Sequence, residues 1–177
     1  MGNTVYIISG PAGVGKSTTS QILVQAISKS AYISGDDVSH IPVNGRGKPW
    51  LDKDTYDLTW TNILSLTNNT LDYRYDVVID YIAFPKEVKW LAQALSGKGA
   101  RIVYVVLLVD KKTIAYRDRL RSEEAWMGER SLELLEQFEN DPELSDRFKL
   151  YTDQYQTDQL SMIVEEIMSC DKYIFNA

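Results

Sequence analysis

Gly10-Pro11-Ala12-Gly13-Val14-Gly15-Lys16-Ser17-Thr18 fits the pattern G-x-x-x-x-G-K-[ST] and lies between an apolar run and a helical period. Holding a polyphosphate calls for these residue types. Glycines let backbone N–H groups turn inward around an anion, and the helix that follows presents the positive end of its dipole. The stretch therefore reads as a P-loop, and its strand-loop-helix setting is the context that confirms such a motif. Gly10, Ala12, Gly13, Val14, Gly15, Lys16, Ser17 and Thr18 are expected to line the phosphates of a nucleotide, with Lys16 reaching the β- and γ-phosphates and Ser17 ligating Mg²⁺.

Working outward, Val5-Tyr6-Ile7-Ile8 is a short continuous apolar run, as expected of a parallel strand buried on both faces. From Lys16 to about Ser28, Ile22, Leu23, Ala26 and Ile27 recur at helical spacing. Ala31-Tyr32-Ile33-Ser34 reads as a second strand that runs into Gly35-Asp36-Asp37, at the strand end where open α/β sheets bind ligands. Between His40 and Asp52, Pro42, Gly45, Gly47 and Pro49 signal a loop that also carries Arg46 and Lys48. A helix follows with Tyr56, Trp60, Ile63, Leu64 and Leu71 on one face and Asp52 or Asp54 as its cap. Trp50 and Trp60 read as packing residues.

Tyr75 to Asp80 is an apolar run closing on an acid, the form of a Walker B segment, so Asp80 is expected to hold the metal with Ser17. Pro85 opens a helix through Leu95 that Gly97 and Gly99 stop. Arg101 to Val109 is the longest β-branched run and predicts a central strand. A charged helical stretch follows Asp110, with Arg117, Arg119, Arg121 and Arg130 around Gly128, and Ser131 is placed to cap the next short helix before Asn140-Asp141-Pro142. Phe148 and Tyr151 suggest a short packed piece, Leu160 to Ile167 a last amphipathic helix, and Tyr173-Ile174-Phe175 a last strand. Strands alternating with helices predict an α/β fold with one five-stranded parallel sheet, helices on both faces and right-handed crossovers.

The bulk composition agrees with that frame. A chain of 177 residues with 44% hydrophobic content suits one domain, 1–177, with a sizeable core. A net charge of −6 speaks against nonspecific nucleic-acid binding and against attraction to anionic membranes, so no nucleic acid and no membrane is expected as a partner. Cys170 is the single cysteine, which leaves no internal disulfide and no cysteine-based zinc site. The start shows neither a basic n-region nor an apolar h-region, and the expected setting is cytoplasmic, as a monomer or homodimer.

A P-loop says nucleotide without saying what the nucleotide is for. A guanine-specific GTPase should carry N-K-x-D and a D-x-x-G after the third strand, whereas this chain lacks the first and follows Asp80 with Tyr81-Ile82-Ala83. With the P-loop, Ser34-Gly35-Asp36-Asp37, Val78-Ile79-Asp80 with Phe84-Pro85, and Arg117-x-x-x-Arg121, nearly the whole chain resembles the P-loop small-molecule kinases, the group of nucleoside monophosphate, shikimate and gluconate kinases and chloramphenicol phosphotransferase. The local similarity is greatest to gluconate kinases, through Gly35 to His40 and then Gly47-Lys48-Pro49-Trp50-Leu51-Asp52 up to Trp60. Where those kinases tend to have a His-Phe-containing lid segment, this chain has Met127 to Leu132, without a histidine.

The resemblance implies a P-loop NTPase fold with a small helical lid at about 111–150, in which Arg117 packs near the adenine and Arg121 meets phosphate. It implies ATP and Mg²⁺ as donor and metal, and a small-molecule hydroxyl as acceptor. Phosphoryl transfer needs charge neutralisation, an in-line acceptor and exclusion of water. Lys16, Arg121 and Arg130 would serve the first need, and either Asp37 or Asp36 would orient the hydroxyl and take its proton. Arg46 and Lys48 could greet an anionic acceptor. Two rivals stand beside this reading: an antibiotic or nucleotide-sugar phosphotransferase of the same fold, and a regulatory module that binds nucleotide with slow or no hydrolysis.

Overall fold

Among residues 2–119, 127–156 and 159–176, which the computed structural model describes, five strands alternate with seven α-helices. The strands are β1 (Thr4–Ser9), β2 (Ser30–Ser34), β3 (Asp76–Asp80), β4 (Arg101–Leu108) and β5 (Lys149–Tyr151). The helices are α1 (Lys16–Ala26), α2 (Gly35–Ser39), α3 (Lys53–Asp72), α4 (Pro85–Ala94), α5 (Lys111–Arg119), α6 (Glu129–Asn140) and α7 (Leu160–Ser169). The strands form one sheet in the order β2-β3-β1-β4-β5, all parallel, as the alternation predicts.

The apolar runs occupy the middle of the sheet. Val5, Ile7 and Ile8 of β1, Val77 to Ile79 of β3 and Val103 to Leu108 of β4 are fully buried, which is why these strands show no polar alternation. Each such side chain contributes about 1.5–3 kcal/mol through the water it leaves. Against one another the strands are pinned in register: Ile8 stands opposite Asp80 on one side and Val105 on the other, and Ser34 stands opposite Asp80. Parallel strands in register deliver their carboxyl ends to one edge, so the P-loop, Asp80 and α2 emerge side by side.

Three expectations are corrected. The fifth strand is Lys149–Tyr151, not Tyr173-Ile174-Phe175. Only Val106 to Leu108 of β4 pair with β5, so the earlier half of that edge is left to the C-terminal segment. Val103 makes a single antiparallel bridge to Ile174, and the Phe175 N–H donates to the Ile102 carbonyl at 2.8 Å. The tail thus covers a sheet edge that would otherwise present unpaired backbone groups. Ser131 is not a cap: Gly128, at φ 56°, precedes α6, and Ser131 lies buried within the helix. The first helix ends at Ala26 rather than Ser28, because Ile27 is already extended and Ser30 Oγ donates back to the Val24 carbonyl at 2.6 Å.

Candidate active site

The P-loop owes its shape to backbone angles that side chains resist. Gly10 has φ 131°, and a Cβ there would lie 2.2 Å from the Leu107 carbonyl oxygen. Gly15 has φ 101° with nothing within 4 Å of the place a Cβ would take, so it turns the chain into α1 beneath open space. The first turn of α1 carries no acidic residue and no side-chain cap, so its N–H groups keep the character of an anion site. Lys16 folds over its own loop, Nζ donating to the Pro11 carbonyl at 2.9 Å.

The floor beneath the loop is stitched to the segment that follows β3. Ser9 Oγ, fully buried, donates to the Ala83 carbonyl at 2.8 Å and accepts from the Ala83 N–H at 2.8 Å. Tyr104 Oη donates to the same carbonyl at 2.8 Å. The segment after Asp80 is therefore tied to both β1 and β4. Beyond it Pro85 opens α4, and the buried Glu87 accepts from the Phe84 N–H at 2.7 Å and from the Tyr56 hydroxyl, joining α3 to α4.

Asp80 is buried, and Tyr32 Oη donates to its Oδ2 at 2.7 Å. Burial first, then the Asp80 carboxylate, hold the Tyr32 phenol well above its ordinary value; the Asp37 charge adds to this and a hydrogen bond with the Ser17 hydroxyl acts against it. The phenol is thus bonded directly to Asp80. Nothing in the residue types of β2 marks Tyr32 in advance, since an aromatic in a strand is ordinary.

Asp36 and Asp37 stand exposed in the first turn of the short α2, with Ser34 Oγ accepting from the Asp37 N–H at 3.2 Å as its cap. Burial first and the Asp36 charge next, against the opposing charge of Arg46, push the neighbouring Tyr81 phenol up to about 12. The charges of Asp36 and Arg46 thus act on the Tyr81 phenol in opposite senses. Arg46 Nε donates to the Ser39 carbonyl at 2.6 Å and Nη2 to Ser39 Oγ at 3.0 Å, which fixes the guanidinium against α2. Gly35 packs so closely on Tyr81 that a Cβ there would lie 2.1 Å from the ring, and Trp60 packs on the other part of that ring at 5.6 Å between centroids. His40 lies at the end of α2, its Nδ1 2.6 Å from the Asp36 carbonyl. Lys48 sits over Trp50, on the exposed part of the loop.

From the far side α5 sends Arg117 across to the P-loop, where Nη1 donates to the Val14 carbonyl at 3.1 Å. Arg130 stays on α6 and pairs with Glu133 at 3.1 Å, so among the described residues it is not joined to the loop. Arg121 lies outside the described residues. A hollow of about 720 Å³ opens between α4 and α6, lined by Phe84, Lys86, Glu133, Glu136, Asp141 and Glu143 among others, but its carboxylates would repel a polyphosphate.

The donor set suits a hard divalent ion. The Ser17 hydroxyl and the Asp80 carboxylate are oxygen donors, and among the described residues no cluster of three or more His, Cys, Asp or Glu encloses a metal. An ion held here would take its remaining ligands from phosphate and water, which is the habit of Mg²⁺. Gly10, Gly13 and Gly15, all at positive φ, form the cradle that a polyphosphate needs.

Over residues 5–140 the chain matches the AAA domain family AAA_33, and it belongs to that family. Its fold is that of the P-loop kinases. It is similar to a gluconokinase from Sinorhizobium meliloti 1021, at 20% identity and a TM-score of 0.64 over 94% of this chain and 90% of that one. It is also similar to a sugar kinase from Janibacter sp. HTCC2649, at 15% identity and a TM-score of 0.68 over 96% of both chains. A third similar structure is the APS kinase of Mycobacterium tuberculosis in complex with AMPPNP and APS, at 13% identity and a TM-score of 0.66 over 94% of this chain and 98% of that one. No curated protein matches the sequence. Among the described residues no helix is long and apolar enough to cross a membrane.

Proposed function

We propose that this protein is an ATP-dependent kinase that transfers the γ-phosphate to a hydroxyl of a small polar metabolite, in the manner of a gluconate kinase, with a sugar acid as the type of acceptor. The observation that carries this reading is the strand register: β3 lies between β1 and β2, so Asp80 separates the phosphate loop from the acids of α2 by one strand on each side. Donor and acceptor machinery share one sheet edge.

Each residue then has a task. The P-loop amides and Lys16 hold and neutralise the phosphates, with Arg121 and Arg130 brought in by the lid at about 111–150 and Arg117 against the nucleotide. Magnesium, when bound, neutralises charge on the phosphate oxygens; Ser17 and Asp80 would hold it. Asp37, or Asp36 beside it, orients the acceptor hydroxyl and takes its proton as the new O–P bond forms and the bond to the β-phosphate bridging oxygen breaks. Arg46, fixed on Ser39, supports an acceptor with an anionic group. The protein acts on small molecules in the cytoplasm.

The test is ADP release from Mg·ATP against sugar acids, neutral polyols, nucleosides and hydroxylated antibiotics. Turnover with sugar acids above the ATPase background is expected. Turnover confined to an antibiotic would replace the acceptor, and no turnover with any acceptor would remove the kinase reading.

A further inference from the structure

The Tyr32 hydroxyl has a role that neither the motif nor the fold assigns. Tyr32 stands opposite Val78, and Asp80 lies two residues further on the same face of β3. Two residues of strand span about 6.6 Å, roughly the reach of a tyrosine side chain. The ring therefore leans along the sheet surface and delivers its O–H to Asp80 Oδ2 at 2.7 Å. A carboxylate offers about four lone-pair sites on two oxygens. One lone-pair site of Oδ2 is thereby occupied, which restrains the buried carboxylate from rotating about its last bond.

We propose that Tyr32 is a positioning residue of the metal site: by holding Asp80 Oδ2 it fixes the orientation of the carboxylate that would hold the divalent ion. The inference rests on the kinase reading, through the pairing of Ser17 with Asp80. Tyr32 does not touch the reacting atoms. It acts through Asp80, as outer-shell partners orient the groups that hold a metal, and losing such a partner typically weakens metal affinity by 10- to 100-fold.

Tyr32→Phe removes one oxygen and keeps the ring, so it isolates the hydrogen bond. Mn²⁺ binding in the presence of ADP, followed by electron paramagnetic resonance, should weaken by about tenfold, and the Mg²⁺ concentration for half-maximal turnover should rise in parallel. Binding of ADP in EDTA should stay within twofold of the unaltered protein. A purely structural role would lower the thermal midpoint and leave Mn²⁺ affinity in place. A Tyr32→Phe protein that binds Mn²⁺ with ADP as tightly as the parent overturns the proposal. Asp80→Asn supplies a second measure: combined with Tyr32→Phe it should cost no more Mn²⁺ affinity than Asp80→Asn alone, and additive losses would equally overturn the role. If the parent protein takes up no Mn²⁺ with ADP, the kinase reading falls and this inference with it. If the parent binds and Tyr32→Phe binds equally, only the positioning role is lost.

Discussion

The two sides of Asp80 are built differently. On the donor side, Gly10 to Thr18 is held by local backbone geometry and by the buried Ser9–Ala83–Tyr104 cluster beneath it. On the other side, where the proposed kinase would take its acceptor, residues 40–52 form a loop anchored through Arg46 on Ser39 and through Gly47, whose N–H donates to Thr55 Oγ1 at 3.0 Å. Around those anchors Ile41, Val43, Trp50 and Leu51 stay exposed. The contrast teaches where specificity can vary. A polyphosphate needs the same cradle whatever it phosphorylates, so that geometry is stitched down. In the proposed kinase, acceptor selection would fall to the loop of residues 40–52, which can change its exposed side chains without disturbing the sheet.

The widest separation between the halves should come from Lys16→Ala. Removing the lysine that neutralises phosphate charge should lower kcat on the order of 10³-fold and weaken ATP binding, both read from ADP release and nucleotide titration. Asp37→Asn should instead lower kcat on the order of 10²-fold while the Kd for ATP stays put. Full activity in Asp37→Asn together with its loss in Asp36→Asn would move the base by one residue. Smaller again, Arg46→Gln should raise the KM for an acidic acceptor about tenfold, the scale of one charged hydrogen bond, with the KM for ATP unchanged. An equal rise for a neutral polyol would mean that Arg46 only anchors the loop.

Least affected should be a site remote from both halves. Burial by itself would raise Glu166, but the Lys172 ammonium and the Tyr173 hydroxyl outweigh it and hold its carboxyl below the ordinary value. A depressed carboxyl contributes stability above its unfolded pKa and loses it as pH falls through the folded one. Glu166→Gln should therefore flatten the loss of thermal stability below about pH 4.5, measured as the thermal midpoint against pH. The acceptor and donor KM values should not change.

The limits of the sequence reading follow the range of the interactions. The P-loop, Asp80, the start of α4 at Pro85 and an acidic cap at Asp52 or Asp54 are legible because each rests on residues within a few positions of one another; the structure decides for Asp52, which accepts from the Thr55 N–H at 3.0 Å. Tyr173-Ile174-Phe175 resembles a strand by composition, yet Lys149–Tyr151 takes the pairing, because strand formation depends on which edge of β4 is open. Asp36 and Asp37 were visible as acids at a strand end, while their place in a helix capped by Ser34 was not. Tyr32 and Ser9 gave no signal, since their partners lie 48 and 74 positions away.

By itself, the sequence determined the strand-loop-helix of the phosphate cradle, the alternation that makes a parallel sheet, and the acids at two strand ends. These rest on backbone freedom, periodicity and charge, which short segments encode. Only the tertiary structure decided the strand order that sets Asp80 between the P-loop and the acids of α2, the tail across the open edge of β4, the reach of Arg117 to the Val14 carbonyl, and the tyrosine on Asp80. Those depend on which distant strands lie side by side, and burial of the whole sheet selects that arrangement.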